Sequence, residues 1–461
     1  MRIIASLILL VTLGVSAAGA WVLQGPIPLA DWFSNPAASL ALARGENPEP
    51  VQLVRPVAPA QLSAMAELGK QIFFDASLSG SGKLACASCH DPAKHYGPPT
   101  GSAVVYGGPD LQSPGKRAVP TLTYLNFQRN FYIGPDPAGD NDTLPALPQL
   151  ARAASVAVRT IKTAQDTGQS AANIVPSGGL FWDGRADTLE QQAMGPLTSP
   201  FEMDGGNTLT ISAKLATAPY AETFKALFGN QIFDHPSLTL SEALFAVARY
   251  QIENQDFHPF TSKYDYWLEG KARLSPAEMR GYILFNDVNK GDCGACHLDQ
   301  PTQDHRPPLF TDTQYEALGV PRNPDIPANR DPHYDDLGLC GPYRTDLQKQ
   351  TQYCGMFLTP TLRNAATRKV FMHNGYFHNL HDVVEFYNLR DVDPAKIYPV
   401  GADGKVKKFN DLPKAYWANI DRVDPPLNRK LGERPALSPR EVDDIVAYLK
   451  TLTDGYAPKG G

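Results

Sequence analysis

Two five-residue motifs constrain this chain more than anything else in it. Cys86-Ala87-Ser88-Cys89-His90 and Cys293-Gly294-Ala295-Cys296-His297 place four of the six cysteines in two copies of Cys-x-x-Cys-His. Two thiols at that spacing add across the vinyl groups of a haem, and the adjoining histidine meets the iron from the same side. Zinc would need further Cys or His at finger spacing, and the sequence has none. The sequence therefore predicts two covalently bound c-type haems, with His90 and His297 as proximal ligands. Cys340 and Cys354 remain. In an oxidising compartment an isolated pair reads as a disulfide closing a loop, with haem ligation by either as the minor alternative.

The first residues point to such a compartment. Arg2 precedes an apolar run from Ile3 to Val15, and Ala18-Gly19-Ala20 supplies a small-residue cleavage pattern before Trp21. Residues 1–20 read as a secretory signal peptide and the body as periplasmic. Ile3 to Leu23 is also just long enough for an uncleaved membrane anchor. Net charge is −6 with no block of like charges, which argues against a nucleic-acid partner.

The two haem motifs sit in an internal repeat. MAELGKQIFFD precedes the first and EMRGYILFNDVNKGD the second, each with a glycine (Gly69, Gly281) four residues before a phenylalanine (Phe73, Phe285). Ser275-Pro276-Ala277-Glu278 is a helix start, with serine as cap, proline at the first position and glutamate at the third. Each repeat closes on an amphipathic helix. The first runs from about Ser241 to Gln255, with Leu244, Val247 and Ala248 inward, and the second from Ser438 to Leu452, with Val442, Ile445, Val446 and Leu449 on one face. The expected fold is all-α: two cytochrome-c-like haem domains, 45–265 and 266–461, with long loops and a boundary near 258–272. Residues 98–181 are rich in Pro and Gly, and only Gln149 to Thr167 within them looks helical.

Around the haem sites, FWDGRADTLEQQAMGPLTSPFEM (181–203) and FLTPTLRNAATRKVFMHNGYFHNLHDVVEFYN (357–388) resemble the bacterial dihaem cytochrome c peroxidase and MauG family over roughly residues 60–455. The resemblance implies a peroxide-reactive N-terminal haem and an electron-relaying C-terminal one. By motif position Gln192 and Glu202 match the distal-pocket pair, Pro196 a pocket-lining proline, and Trp182 the tryptophan between the haems. Peroxide cleavage needs a group that moves a proton between the two oxygens, and a carboxylate in an apolar pocket suits it. Where ordinary family peroxidases carry a distal histidine this chain has Tyr106, and His95 is too near His90 to reach the opposite haem face, so the first haem is expected open or water-bound, as in the MauG branch. Two departures stand out. The link between Pro120-Thr121-Leu122 and FWDGR is extended by an insertion, 123–180. The calcium that the family holds between its domains loses an asparagine ligand to Ala118, leaving backbone carbonyls near Arg368 and Val370 to contribute.

FMHNGYFHNLHDVVEFYN (371–388) offers Met372, His373, His378, His381 and Tyr387 to the second iron. Asn379 caps a helix, and Leu380, Val383, Val384 and Tyr387 then fall on one buried face. Spacing alone leaves Tyr387 a packed core residue. Its match to the tyrosine that the MauG branch carries at this position makes it the expected ligand, with Met372 the runner-up, then His378, and His373 packing nearby. The reading is a periplasmic MauG-type enzyme in which hydrogen peroxide generates high-valent haem iron that oxidises a substrate or partner protein at long range. An ordinary peroxidase fed by a small redox protein is the alternative, and a plain electron-transfer cytochrome the non-enzymatic one.

Overall fold

A computed structural model of the chain describes residues 34–135 and 174–458. The expected signal or anchor segment, the Gln149–Thr167 helix and the middle of the 123–180 insertion lie outside them. The helices run in the order α1 Pro36–Ala43, α2 Ala64–Phe73, α3 Cys86–Cys89, α4 Leu189–Thr198, α5 Thr208–Ala216, α6 Ala221–Phe228, α7 Pro236–Glu253, α8 Lys263–Leu268, α9 Pro276–Asn286, α10 Leu380–Leu389 and α11 Pro439–Lys450.

Local chemistry sets their starts. Ser275 and Ser438 each form a reciprocal capping box with the glutamate three residues on, and Ser63 and Asn379 accept the amides of Ala66 and Asp382. The helix closing the first repeat begins about five residues before the sequence suggested, because Pro236 occupies its first position. Leu244, Val247 and Ala248 are buried on it as expected.

The repeat glycines mark two equivalent helix crossings. A Cβ on Gly69 would lie 1.8 Å from the Ala246 carbonyl oxygen, and one on Gly281 would lie 1.9 Å from that of Asp444. Thus α2 crosses α7, and α9 crosses α11, backbone against backbone. Only glycine permits that approach.

Each crossing carries an aromatic core. The first gathers Phe73, Tyr96, Tyr250 and Phe257, with Tyr96 stacked 3.7 Å from Phe257. The second gathers Tyr264, Trp267, Tyr282, Phe310 and Tyr448. Arg363 and Asp265, both without solvent exposure, form a two-bond ion pair beside it at 2.7 and 3.0 Å. The amino-terminal stretch joins this second core, not the first. Trp267 Nε1 donates to Gly45 O at 3.0 Å, and Val51 N donates to Leu268 O at 2.9 Å.

The all-α expectation needs one correction. Three two-stranded antiparallel ladders are present among the described residues: β1 Tyr106–Gly107 with β2 Ser113–Pro114, β3 Tyr132–Pro135 with β4 Ile174–Ser177, and β5 Tyr315–Glu316 with β6 Phe357–Leu358. Strands of two to four residues are too short to print an alternating pattern. The β3–β4 pair, with Tyr132 opposite Ser177 and Pro135 opposite Ile174, holds the two ends of the insertion together.

Candidate functional site

Each Cys-x-x-Cys-His motif opens on a large internal cavity. The first, about 140 Å³, is bounded by Cys86, Cys89 and His90, and the second, about 210 Å³, by Cys293, Cys296 and His297. Close-packed interiors leave few voids larger than a water molecule, so each has room for a bound group. Both histidines are presented alike. His90 Nδ1 lies 3.2 Å from the Tyr96 carbonyl oxygen and His297 Nδ1 lies 2.9 Å from that of Phe310. A carbonyl only accepts, so Nδ1 carries the proton and Nε2 keeps its lone pair for a metal. Burial lowers the His90 pKa to about 4, which keeps the ring neutral. Neither carbonyl partner was foreseen, because such contacts leave no spacing signature. Gln251, also unforeseen, lines the first cavity with a buried Oε1 that has no partner among the described residues. A bound group would have a use for it. The residues present therefore fit two c-type haems.

The distal candidates converge on the first cavity. Gln192 and Pro196 reach it from α4, one helical turn apart, and Glu202 from the turn that follows. Pro196 has no N–H to give the Gln192 carbonyl, so the helix is loosened at this point. Burial raises the Glu202 carboxyl above its ordinary value, and the Ser199 hydroxyl and Arg185 pull part of the way back. Tyr106 borders the same cavity on the short strand β1 and is 46 % exposed. His95 is not among the cavity residues.

Trp182 bounds both cavities. Its Nε1 donates to the Ala118 carbonyl at 2.8 Å, which fixes the ring. The neighbouring Asp183 is buried between Arg117 (2.7 Å) and Arg185 (2.8 Å), and Arg117 reaches on to Asp336 from the other half of the chain. Cys340 and Cys354 are joined as a disulfide, with Cα atoms 4.9 Å apart. Their loop delivers Tyr343 to the wall of the first cavity, which nothing in the sequence indicated.

The second cavity sorts the ligands offered by 371–388. Leu380, Val383, Val384 and Tyr387 all face it from α10. Burial holds the Tyr387 phenol well above its ordinary pKa, so only a cation beside it would favour the anion. Met372 borders the cavity too. His373 lies at its edge, stacked 3.6 Å from Phe357 with Nε2 3.7 Å from Asp411. His378 and His381 are exposed and do not border the cavity.

Of the carbonyls expected to contribute to a calcium site, that of Val370 accepts Arg368 Nε at 3.3 Å, and the Arg368 Nη2 donates to Val119 O at 2.9 Å. Among the described residues no cluster of three carboxylate, imidazole or thiol groups forms elsewhere. No helix among them is long and apolar enough to cross a membrane.

Two such cavities in one helix-rich chain define the class of proteins that carry paired c-type haems. Residues 63–273 match the family described as "Di-haem cytochrome c peroxidase". The methylamine utilization protein MauG of Paracoccus denitrificans is 32% identical over 398 residues, covering 85% of this chain and 89% of that protein. The cytochrome c551 peroxidase of Nitrosomonas europaea is 28% identical, covering 88% and 84%. The crystal structure of the diheme peroxidase BthA from Burkholderia thailandensis superposes with a TM-score of 0.72 at 33% identity, covering 89% of this chain and 94% of that one. The chain belongs to the di-haem cytochrome c peroxidase and MauG family, haem oxidoreductases that act on peroxide.

Proposed function

We propose that the protein is a periplasmic dihaem oxidoreductase of MauG type, built from two cytochrome-c-like units, that uses hydrogen peroxide to withdraw electrons from a partner at a distance. When bound, haem supplies a peroxide-reactive centre in the first cavity and an electron-relaying centre in the second. The residues do the rest. His90 and His297 would hold the irons through Nε2, because their Nδ1 protons are committed to carbonyls. The Glu202 carboxylate takes a proton from one peroxide oxygen and returns it to the departing one. Gln192 orients the peroxide, and Pro196 helps confine it. Trp182, which bounds both cavities, would carry electrons between them, and the Tyr387 oxygen would be the residue to hold the second iron. An anionic donor there stabilises an oxidised metal and lowers its potential.

Tyr387 on the wall of the second cavity is the observation that carries this reading over that of an ordinary peroxidase. Met372 on the same wall keeps the second reading alive: a thioether ligand would suit a conventional peroxidase, reduced by a small redox protein. Absorption and electron paramagnetic resonance spectra of the resting enzyme separate the two. The MauG-type reading requires one high-spin His-only or His–water haem, one low-spin His–Tyr haem, and peroxide turnover without prior reduction. Two low-spin haems, or a strict need for half-reduction, would overturn it.

A further inference from the structure

Tyr343 is the only residue beyond Gln251 on the described wall of the first cavity. Its loop is closed by the Cys340–Cys354 disulfide and anchored by Arg344, which donates to the carbonyls of Asp183 and Gly184 at 3.1 and 3.0 Å. The ring is held on several sides, with the Arg117 guanidinium 4.7 Å from its centre, that of Arg185 at 5.6 Å and the Phe201 ring at 6.3 Å. Its hydroxyl lies 3.3 Å from the hydroxyl of Tyr334. Tyr334 does not border the cavity; it is half-buried and follows the exposed residues 331–333. Two phenols, hydroxyl to hydroxyl, thus lead from the cavity wall towards solvent.

The surroundings decide how such a pair can react. Burial raises both phenols above their ordinary pKa, so each keeps its proton in the resting protein. Asp183 and Asp336 occupy Arg117, and Asp183 also takes Arg185. Lys116 is left over. Its Nζ lies 5.5 Å from the Tyr334 ring centre and 5.9 Å from that of Tyr343, and it makes no ion pair among the described residues. A positive charge at that range opposes a second one on either ring. An electron can therefore leave these phenols only in company with the proton, and the hydroxyl contact lets a neighbour replace both.

We infer that Tyr343 and Tyr334 form a second outlet for the first cavity, through which a small phenol at the surface is oxidised without entering it. The inference rests on the proposed reading of that cavity as the peroxide site. Each passage moves one electron and one proton. Tyr343 gives both up to the cavity, and Tyr334 restores both across the hydroxyl contact. The surface phenol then restores Tyr334 and leaves as a neutral phenoxyl radical. Two passages supply the two electrons and two protons with which one peroxide becomes two waters. The outlet bypasses Trp182, which borders the second cavity as well. Tyr106 also borders the first cavity, but no ring, cation or hydroxyl contact holds its side chain among the described residues. It serves as the control.

The test mixes holoenzyme with peroxide and no reductant, freezes it within milliseconds and records electron paramagnetic resonance spectra, with and without ring-deuterated tyrosine. Oxidation of guaiacol, a small phenol, is followed separately. The wild type should show a tyrosyl signal that narrows on deuteration, and a nitrosoalkane spin trap should leave its adduct on Tyr334 in mass spectra. Tyr343→Phe should lose the signal. Tyr334→Phe should keep a signal on Tyr343 but lose the adduct at position 334 and most guaiacol turnover, while the Soret change on mixing with peroxide keeps its rate. Tyr106→Phe should keep the signal. A signal that survives Tyr343→Phe, guaiacol turnover unchanged in Tyr334→Phe, or a signal lost in Tyr106→Phe overturns the outlet. If peroxide changes the Soret band but no tyrosyl signal forms, the outlet falls and the peroxide reading stands. If peroxide leaves the Soret band unchanged, that reading falls and the outlet falls with it.

Discussion

Replacing Glu202 with glutamine tests the proton-transfer role at constant shape. The backbone there is held on both sides: Glu202 N donates to Ser199 O at 3.1 Å, and Gly108 N donates to Glu202 O at 2.8 Å. An amide of the same size keeps that frame, but it cannot accept a proton. Positioned acid–base groups contribute roughly 10²–10⁴ in rate, or about 2.7–5.5 kcal/mol of barrier. The bimolecular rate with peroxide, read by stopped-flow at the Soret band, should fall by that factor while both haems stay bound. Wild-type rates should decline in acid as pH falls through the raised Glu202 pKa, and the variant should lack that limb. Stability moves the other way. A carboxyl with a raised folded pKa favours folding below its unfolded pKa, and that contribution is lost as pH rises through the folded value. At neutral pH the buried carboxylate is a cost that glutamine removes, so the thermal midpoint should rise. A rate within threefold of wild type, or an acid limb that persists in the variant, would refute the proton-shuttle role.

Tyr387→Phe should leave the cavity wall intact and convert the low-spin His–Tyr signal of the second haem; an unchanged electron paramagnetic resonance spectrum would move the ligand to Met372. Asp265→Asn strips Arg363 of its two-bond partner in a fully buried setting, leaving only Asp454 at 3.9 Å. Breaking such a pair costs about 3–5 kcal/mol, or roughly 10 °C in thermal midpoint for a unit of this size, measurable by calorimetry. Burial alone would raise the Asp265 carboxyl, but Arg363 holds it below its usual range. Its stabilisation is therefore present above the unfolded carboxylate pKa and is lost as pH falls through the folded value, so the deficit of the variant should shrink in acid. Dialysis against EGTA should leave the haem spectra and the peroxide rate unchanged, because Arg368 already serves the Val119 and Val370 carbonyls. A loss restored by calcium would show that the guanidinium yields to the ion.

What the sequence made legible was whatever recurs or has a fixed local period. The Gly69 and Gly281 positions recur because each must sit under a crossing helix, and the caps at Ser275 and Asn379 are written in adjacent residues. The 380–387 stripe points at the second cavity because a helix keeps its faces. Contacts between distant segments left no such trace. The carbonyls of Tyr96 and Phe310 that set the histidine tautomers could be any backbone atoms. Tyr343 reaches the first cavity only because a loop from the other half folds over it.

Where the structure places its buried charge also bears on the reading of Trp182. Electron transfer through one side chain depends steeply on where its ring lies, so the residue needs a rigid support more than a reactive neighbour. That support comes from both halves. Asp183, the next residue, is fully buried between Arg117 and Arg185, and Arg344 from the disulfide loop donates to the carbonyls of Asp183 and Gly184 at 3.1 and 3.0 Å. Gly178, Gly179, Phe181 and Gly184 all adopt positive φ, a dense set of turns in seven residues. Phe181 among them is neither glycine nor asparagine, so its backbone conformation is held at a cost. Tyr315 then hydrogen-bonds the Gly178 carbonyl at 2.6 Å from the opposite side. A ring held this firmly between the two cavities suits the relay role proposed for Trp182.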